Sequence, residues 1–254
     1  MPLVAASHAP TTGVSLTGKY DRLFYSGIAI AAATLTFTGF GPSYYFRFFD
    51  GGPRATISGL PFSPIYHLHA ALFTSWVLLF VVQTTLISSR RVAVHRRLGV
   101  FGGILASVMV VVGVITGIAT ARHGGAPTGI DPLAFMIVPL GDMALFGPLV
   151  AAALVSRRDR ETHKRLMLLA YASLLPAPAA RLGALLVFGP IMSFAFGYSL
   201  AAAGAVYDFA SRGRIHRVYK WGVPMLFLSV PVRLIVMNTG AWHAFAGLLV
   251  RLGG

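Results

Sequence analysis

The sequence predicts an all-α, polytopic membrane protein with seven transmembrane helices, a leading helix followed by three antiparallel hairpins, with its N-terminus inside. Three observations predict this fold. Of 254 residues, 56% are hydrophobic and 11% charged, and mean hydropathy is +0.74, whereas a soluble domain carries about one-quarter charged residues. The apolar residues fall into runs of about 20, the length a helix needs to cross a bilayer. The bases are concentrated in three of the connections between those runs, the segregation that orients a chain in a membrane. The runs lack alternating polarity, so a closed barrel is excluded.

Residues 1–22 read as an N-terminal cytoplasmic tail. Its opening, "MPLVAASHAPTTGVSLTG", has no basic n-region and no sustained apolar core, so the first span is expected to act as its own insertion signal. Within one domain of residues 23–252, spans are expected at 23–43, 66–88, 98–121, 132–156, 166–189, 191–211 and 219–239, with 240–252 as a short helix at the outer interface. The connection after span 2 carries Arg90, Arg91, Arg96 and Arg97. After span 4, Arg157, Arg158, Arg160, Lys164 and Arg165 outnumber Asp159 and Glu161. After span 6, Arg212, Arg214, Arg217 and Lys220 stand unopposed. On the other side, residues 44–65 set Arg47 and Arg54 against Asp50, and 122–131 balance Arg122 with Asp131. The three basic connections are therefore cytoplasmic. Tyr44, Tyr45 and Trp242 at the outer boundary and Trp221 at the inner one fit interfacial aromatic belts.

The net charge of +14, from 21 Lys/Arg against 7 Asp/Glu, does not indicate a nucleic-acid partner, because the bases cluster in loops between spans and the bilayer is the partner they serve. Absence of cysteine excludes disulfides, thiolate-ligated zinc or iron–sulfur clusters and covalent haem attachment through C-x-x-C-H. His95, His163 and His216 each sit among bases at a cytoplasmic helix start. They read as interfacial histidines beside snorkelling arginines, where adjacent cations oppose a metal ion.

The segments "HKRLMLLAYASLLPAPAARL" from His163 and "HRVYKWGVPMLFLSVPVRLI" from His216 resemble each other. Each places an arginine after prolines, Arg181 and Arg233, at 18 and 17 residues from its histidine. At 1.5 Å per residue both arginines lie about 26 Å along, in the outer half of the bilayer. Ionisable groups inside a bilayer cost at least about 2.5–3.5 kcal/mol at its centre and face the protein interior. Asp142, roughly ten residues below the outer end of span 4, is the matching acid. Asp142, Arg181 and Arg233 are thus expected to converge on one outer-half pocket, one arginine pairing the carboxylate and the other free for an acidic ligand or lipid headgroup. Span 3 instead offers Gly99, Gly103, Gly113 and Gly117 for close helix packing.

A second constellation gathers outer histidines. His67, His69 and His243 are the expected metal or haem-facing set, with His123 in the loop between spans 3 and 4. His67 and His69 lie about 200° apart on a helix and share a metal only if the chain there is extended. Gln83 suits a bond to a neighbouring helix, and Asp208 reads as an ordinary i,i+4 partner of Arg212. No H-E-x-x-H, G-x-S-x-G or Walker loop is present, so no catalytic residue is nominated and enzymatic activity stays open.

The stretch "YHLHAALFTSWVLLFVVQTTLISSRRVAVHRRLG" resembles a group of bacterial multi-span membrane proteins with a histidine at a helix start, a glutamine near its far end and a basic His-Arg-x-x-Gly turn. His69, Gln83, His95, Arg96 and Gly99 carry the resemblance, and "THKRLMLLAYASLLPAPAARL" extends it. It implies a multi-pass protein of the bacterial inner membrane and brings no activity. A microbial rhodopsin is disfavoured because span 7 has no mid-membrane lysine, and a cytochrome-b561-like dihaem protein because the inner histidines lie in cationic loops. Three functions are carried forward. One is a binding or accessory subunit of a membrane complex that uses the outer-half arginines. Another is a redox protein with haem or a transition metal on outer histidines. The third is a small transporter built on Asp142 and the arginines near the proline-broken helices.

Overall fold

The computed structural model describes residues 16–50, 60–182 and 189–252. Most of the expected N-terminal tail, Arg54 and the end of the expected fifth span lie outside the described residues. Among these residues the regular structure is helical, with no strand. Helix α1 (Leu16–Phe40) passes into a π-helical turn (Gly41–Tyr45) and the short α2 (Arg47–Asp50). α3 (Pro64–Ser88) and α4 (Val92–Arg122) form the first hairpin. α5 (Pro132–Phe135) leads into α6 (Ile137–Val155), and α7 (Arg160–Ala172) into α8 (Pro176–Ala179). α9 (Pro190–Arg212), α10 (Arg217–Val236) and α11 (Gly240–Leu252) complete the chain.

Five segments are long and apolar enough to cross a membrane: Tyr20–Tyr45, Pro64–Ser88, Val92–Arg122, Pro132–Val155 and Arg217–Val236. α9 has the length, 23 residues, but Tyr198, Tyr207 and Asp208 make it more polar. The expected fifth span is not one continuous helix. It stops at a turn over Ser173–Leu175, before Pro176 and Pro178, which lack the N–H donors a helix interior requires.

α4 shows the membrane logic directly. Gly102, Leu105, Ala106, Met109, Val112, Gly113, Thr116 and Gly117 are buried along one face, while Val100, Ile104, Val108, Val111 and Ile115 are exposed along the other. That second stripe keeps the 3–4 residue helical spacing, so one whole face of the helix is apolar and uncovered, as lipid requires. The glycines on the inner face admit α6: a Cβ on Gly113 would fall 2.5 Å from the Met143 sulfur, and one on Gly117 3.1 Å from Leu140. α7 is the opposite case. Leu168, Leu169, Ala170, Tyr171 and Ala172 are each at most 1% exposed, so it is covered all round by α6, α9 and α10. α8 is wedged between α1 and α9, and a Cβ on Gly39 or Gly197 would collide with the backbone at Pro178 or Pro176.

The α3–α4, α6–α7 and α9–α10 turns lie at one end of the bundle, here called the basic end for its arginines. α11 lies at the other end, packed on α4 and α5, with Trp242 Nε1 donating to the Leu133 carbonyl at 2.8 Å. This is the short helix the sequence places after the last span.

Candidate functional site

Two groups of polar side chains lie far from the basic end. In the first, Arg233 Nη1 donates to Asp142 Oδ1 at 2.6 Å, with both residues buried at 6% and 8% exposure. The arginine reaches across α6 because residue 141 is glycine: a Cβ there would fall 2.6 Å from Arg233 Nε. The Phe194 ring lies 5.6 Å from the guanidinium carbon, and Arg233 Nη2 is buried without a hydrogen-bond partner.

Arg181 is not in this group. Its Nη1 donates to the Ala177 carbonyl at 2.5 Å, capping the α8 turn, and its guanidinium lies over the Phe40 ring at 4.3 Å. Among the described residues no carboxylate answers it. Asp21 is held by Lys164 and Arg212, Asp131 by His243, Asp142 by Arg233, Asp159 by Arg217, Glu161 by Lys164 and Arg165, and Asp208 by Arg165 and Arg212. Arg181 lies instead within electrostatic reach of His69, which stacks on Phe73 at 4.0 Å and whose Nδ1 is buried without a partner. Further along this interior, Trp76 Nε1 is also buried and unpartnered. Buried polar atoms are nearly always bonded to protein or water, so this seam has capacity for polar contacts that the fold does not use.

The outer histidines do not gather. His67 Nδ1 lies 2.9 Å from the Tyr44 hydroxyl, which the π-turn carries over α3. His243 is held by other partners at both ring nitrogens, the Thr239 carbonyl at 3.0 Å and Asp131 Oδ2 at 3.2 Å. No group of three or more metal-ligating His, Asp or Glu occurs among the described residues.

The basic end holds the densest electrostatics. Arg165 and Asp208, each 0% exposed, form a two-point pair, Nε to Oδ2 at 2.7 Å and Nη2 to Oδ1 at 2.5 Å. Arg165 Nη1 also donates to Glu161 Oε2 at 2.7 Å. Arg212 bridges Asp208 at 3.1 Å and Asp21 at 2.6 Å, and Lys164 joins Asp21 at 2.6 Å and Glu161 at 2.8 Å. The network ties α1, α7 and α9, and the His216 backbone N–H adds the α9–α10 turn through Asp208. Desolvation would raise the Glu161 carboxyl, but hydrogen bonds from Lys164 and Arg165 outweigh it and hold the group below its ordinary range. Burial pushes His216 down. A cavity of about 290 Å³ is lined by Glu161, Arg165, Asp208, Arg212, Arg214 and His216. Carboxylates already occupy Arg165 and Arg212, so the assembly is a latch between helices. Close by, the His95 and His163 rings meet edge to face, with centroids 6.4 Å apart.

Sequence reasoning passed over the latch because Asp208 has a local explanation in Arg212. The signal was compositional: Asp21, Glu161 and Asp208 are three of only seven acids, and all three lie at the basic end. Comparison with known protein families, with curated proteins and with solved structures finds no match to this chain. The class that fold and sites define is a multi-pass α-helical membrane protein.

Proposed function

We propose that this chain is a seven-span protein of the bacterial inner membrane, N-terminus inside, that binds an acidic amphiphile or lipid headgroup in the outer half of the bundle, as a binding or accessory component of a membrane complex. The observation that carries the reading is Arg181, a cation within the bundle with no carboxylate partner among the described residues. A charge at that depth is costly, and such residues mark ligand or ion sites. Two further donors of the guanidinium fork suit a carboxylate or phosphate. His69 Nδ1 supplies an adjacent polar contact, and the Phe40 and Phe73 rings supply an apolar wall for a chain. Asp142–Arg233 forms a separate, neutralised pair in the same outer half.

The test is thermal stabilisation of the purified protein in a non-ionic detergent by dodecanoate, dodecyl phosphate and dodecanol. Stabilisation by one or both acids, none by the alcohol, and loss of the effect in Arg181→Gln are expected. Equal stabilisation of Arg181→Gln and the wild type by either acid overturns the reading.

A further inference from the structure

The cavity of about 290 Å³ at the basic end is lined by the guanidinium groups of Arg165, Arg212 and Arg214, the carboxylates of Glu161 and Asp208, and the His216 imidazole. Its acceptors are taken. Asp208 Oδ2 accepts from Arg165 Nε and the His216 backbone N–H, and Oδ1 from Arg165 Nη2 and Arg212 Nη1, which fills the roughly four acceptor positions of a carboxylate. Each Glu161 oxygen accepts from a cation, Oε1 from Lys164 and Oε2 from Arg165.

The donors are not exhausted. Arg212 spends its Nη groups on Asp208, Asp21 and the Ser211 hydroxyl, and its Nε–H is left. His216 Nδ1 accepts from the Val218 N–H at 3.3 Å, so the neutral ring carries its proton on Nε2, which has no partner among the described residues. Arg214 is exposed and pairs with no carboxylate among the described residues. Filled acceptors beside spare donors define a place for an anion.

We propose that this cavity binds a phosphate group, gripped by the Arg214 guanidinium with the Arg212 Nε–H and the His216 Nε2–H as further donors. The planar fork of an arginine meets two phosphate oxygens at once. A cation is disfavoured, because the guanidinium groups outnumber the carboxylates and Asp208 has no lone pair to offer one. The volume lies just under the range of about 300–1,000 Å³ typical of drug-sized ligands, which suits a small headgroup or ester. Two sources bring that chemistry, an anionic phospholipid in the adjoining leaflet and a free phosphate ester. The flank of α9 favours the lipid. At about 100° per residue, Phe209 lies about 60° around the helix from Arg212 and Val206 about 60° further. Both are exposed, at 62% and 67%, so an apolar strip for acyl chains adjoins the cavity, and basic pockets beside membrane helices hold lipid headgroups. The site shares no residue with the outer-half pocket, so either can fail alone.

The test is thermal unfolding of the purified full chain in a non-ionic detergent with dioctanoyl phosphatidylglycerol, with dioctanoylglycerol, which lacks the phosphate, and with inorganic phosphate, all at one ionic strength. It should be run in Arg181→Gln, where the outer-half pocket no longer contributes. A rise in unfolding temperature with the phospholipid alone identifies a lipid site, and a rise with inorganic phosphate identifies a site open to free esters; dioctanoylglycerol should give none. Adding Arg214→Gln should remove the rise, while adding Arg97→Gln, which deletes the same charge from an exposed position elsewhere at the basic end, should leave it. If Arg181→Gln fails to fold, the same two substitutions are compared in the wild type, where Arg214→Gln should show the smaller rise. No rise with either phosphate compound, equal rises with the two dioctanoyl compounds, or equal rises in the Arg214→Gln and Arg97→Gln proteins would each overturn the proposal.

Discussion

At the scale of single residues, the buried Asp142–Arg233 pair gives the clearest energetic expectation. Removing one partner of a buried ion pair leaves an uncompensated charge and typically costs about 3–5 kcal/mol, whereas replacing both with apolar groups is often neutral. Asp142→Asn should therefore lower the unfolding temperature in detergent sharply, and Asp142→Asn combined with Arg233→Met should recover most of the loss. Gly141→Ala should also destabilise, because the new Cβ would lie 2.6 Å from Arg233 Nε. A wild-type unfolding temperature for Gly141→Ala would show that Arg233 does not cross α6 there. This pair was legible in the sequence, since acids and arginines inside apolar runs are rare and seek each other. Arg181 was legible in depth but not in direction. Its offset of 18 residues from His163, against 17 for Arg233 from His216, differs by one residue, which is a small change in height but about 100° of rotation at 3.6 residues per turn. The break at Ser173–Leu175 turns it further, so it faces Phe40 and His69.

At the scale of elements, the latch explains how a helix as short as α7 is held. Asp159 caps it, accepting from the Glu161 and Thr162 N–H groups, and Arg165 fastens it to α9 through Asp208. Asp208→Asn should cost about 3–5 kcal/mol as the loss of one partner of a fully buried pair. Glu161→Gln should cost no more than about 1 kcal/mol, because the Glu161 side chain is 50% exposed and exposed pairs are screened. The pH dependence has a definite sign. The Glu161 carboxyl lies below its ordinary value when folded, so its contribution is full above the unfolded pKa of about 4.3 and is lost as pH falls through the folded one. Unfolding temperature against pH should drop on the acid side in the wild type and drop less in Glu161→Gln; identical acid limbs would show that the carboxylate adds nothing. None of this was visible in local spacing. An i,i+4 reading accounts for Asp208 within its own helix, and only the packing of α7 against α9 reveals the long-range arginine.

At the scale of the whole molecule, composition and the 20-residue apolar runs suffice to place the chain in a membrane, because a bilayer admits only closed hydrogen-bonding structures and continuous helices are the ones these runs can form. The number of crossings does not follow as simply. Five segments qualify by length and apolarity, while α7 and α8 are separated by a turn and α9 is more polar. The two readings, seven crossings or five with α7–α8 and α9 re-entering from the basic end, give the same side for every turn except the one between α8 and α9. α7 runs away from the basic end for 13 residues, about 20 Å at helical rise, and α8 continues the same way toward Arg181 in the outer half of the bundle. α9 returns over 23 residues, about 34 Å, enough to cross a hydrocarbon core of about 30 Å. We therefore expect Leu182 to lie on the same side as Thr128 and Asn238, opposite Ser89, Arg158 and Arg214. The chain has no cysteine, so single cysteines at these positions report on sidedness with no background. In intact cells an impermeant thiol reagent should label Thr128→Cys, Asn238→Cys and Leu182→Cys, and should reach Ser89→Cys, Arg158→Cys and Arg214→Cys only after lysis. Leu182→Cys labelled only after lysis, with Thr128→Cys and Asn238→Cys labelled before it, would reduce the crossings to five, and the reverse pattern throughout would invert the protein.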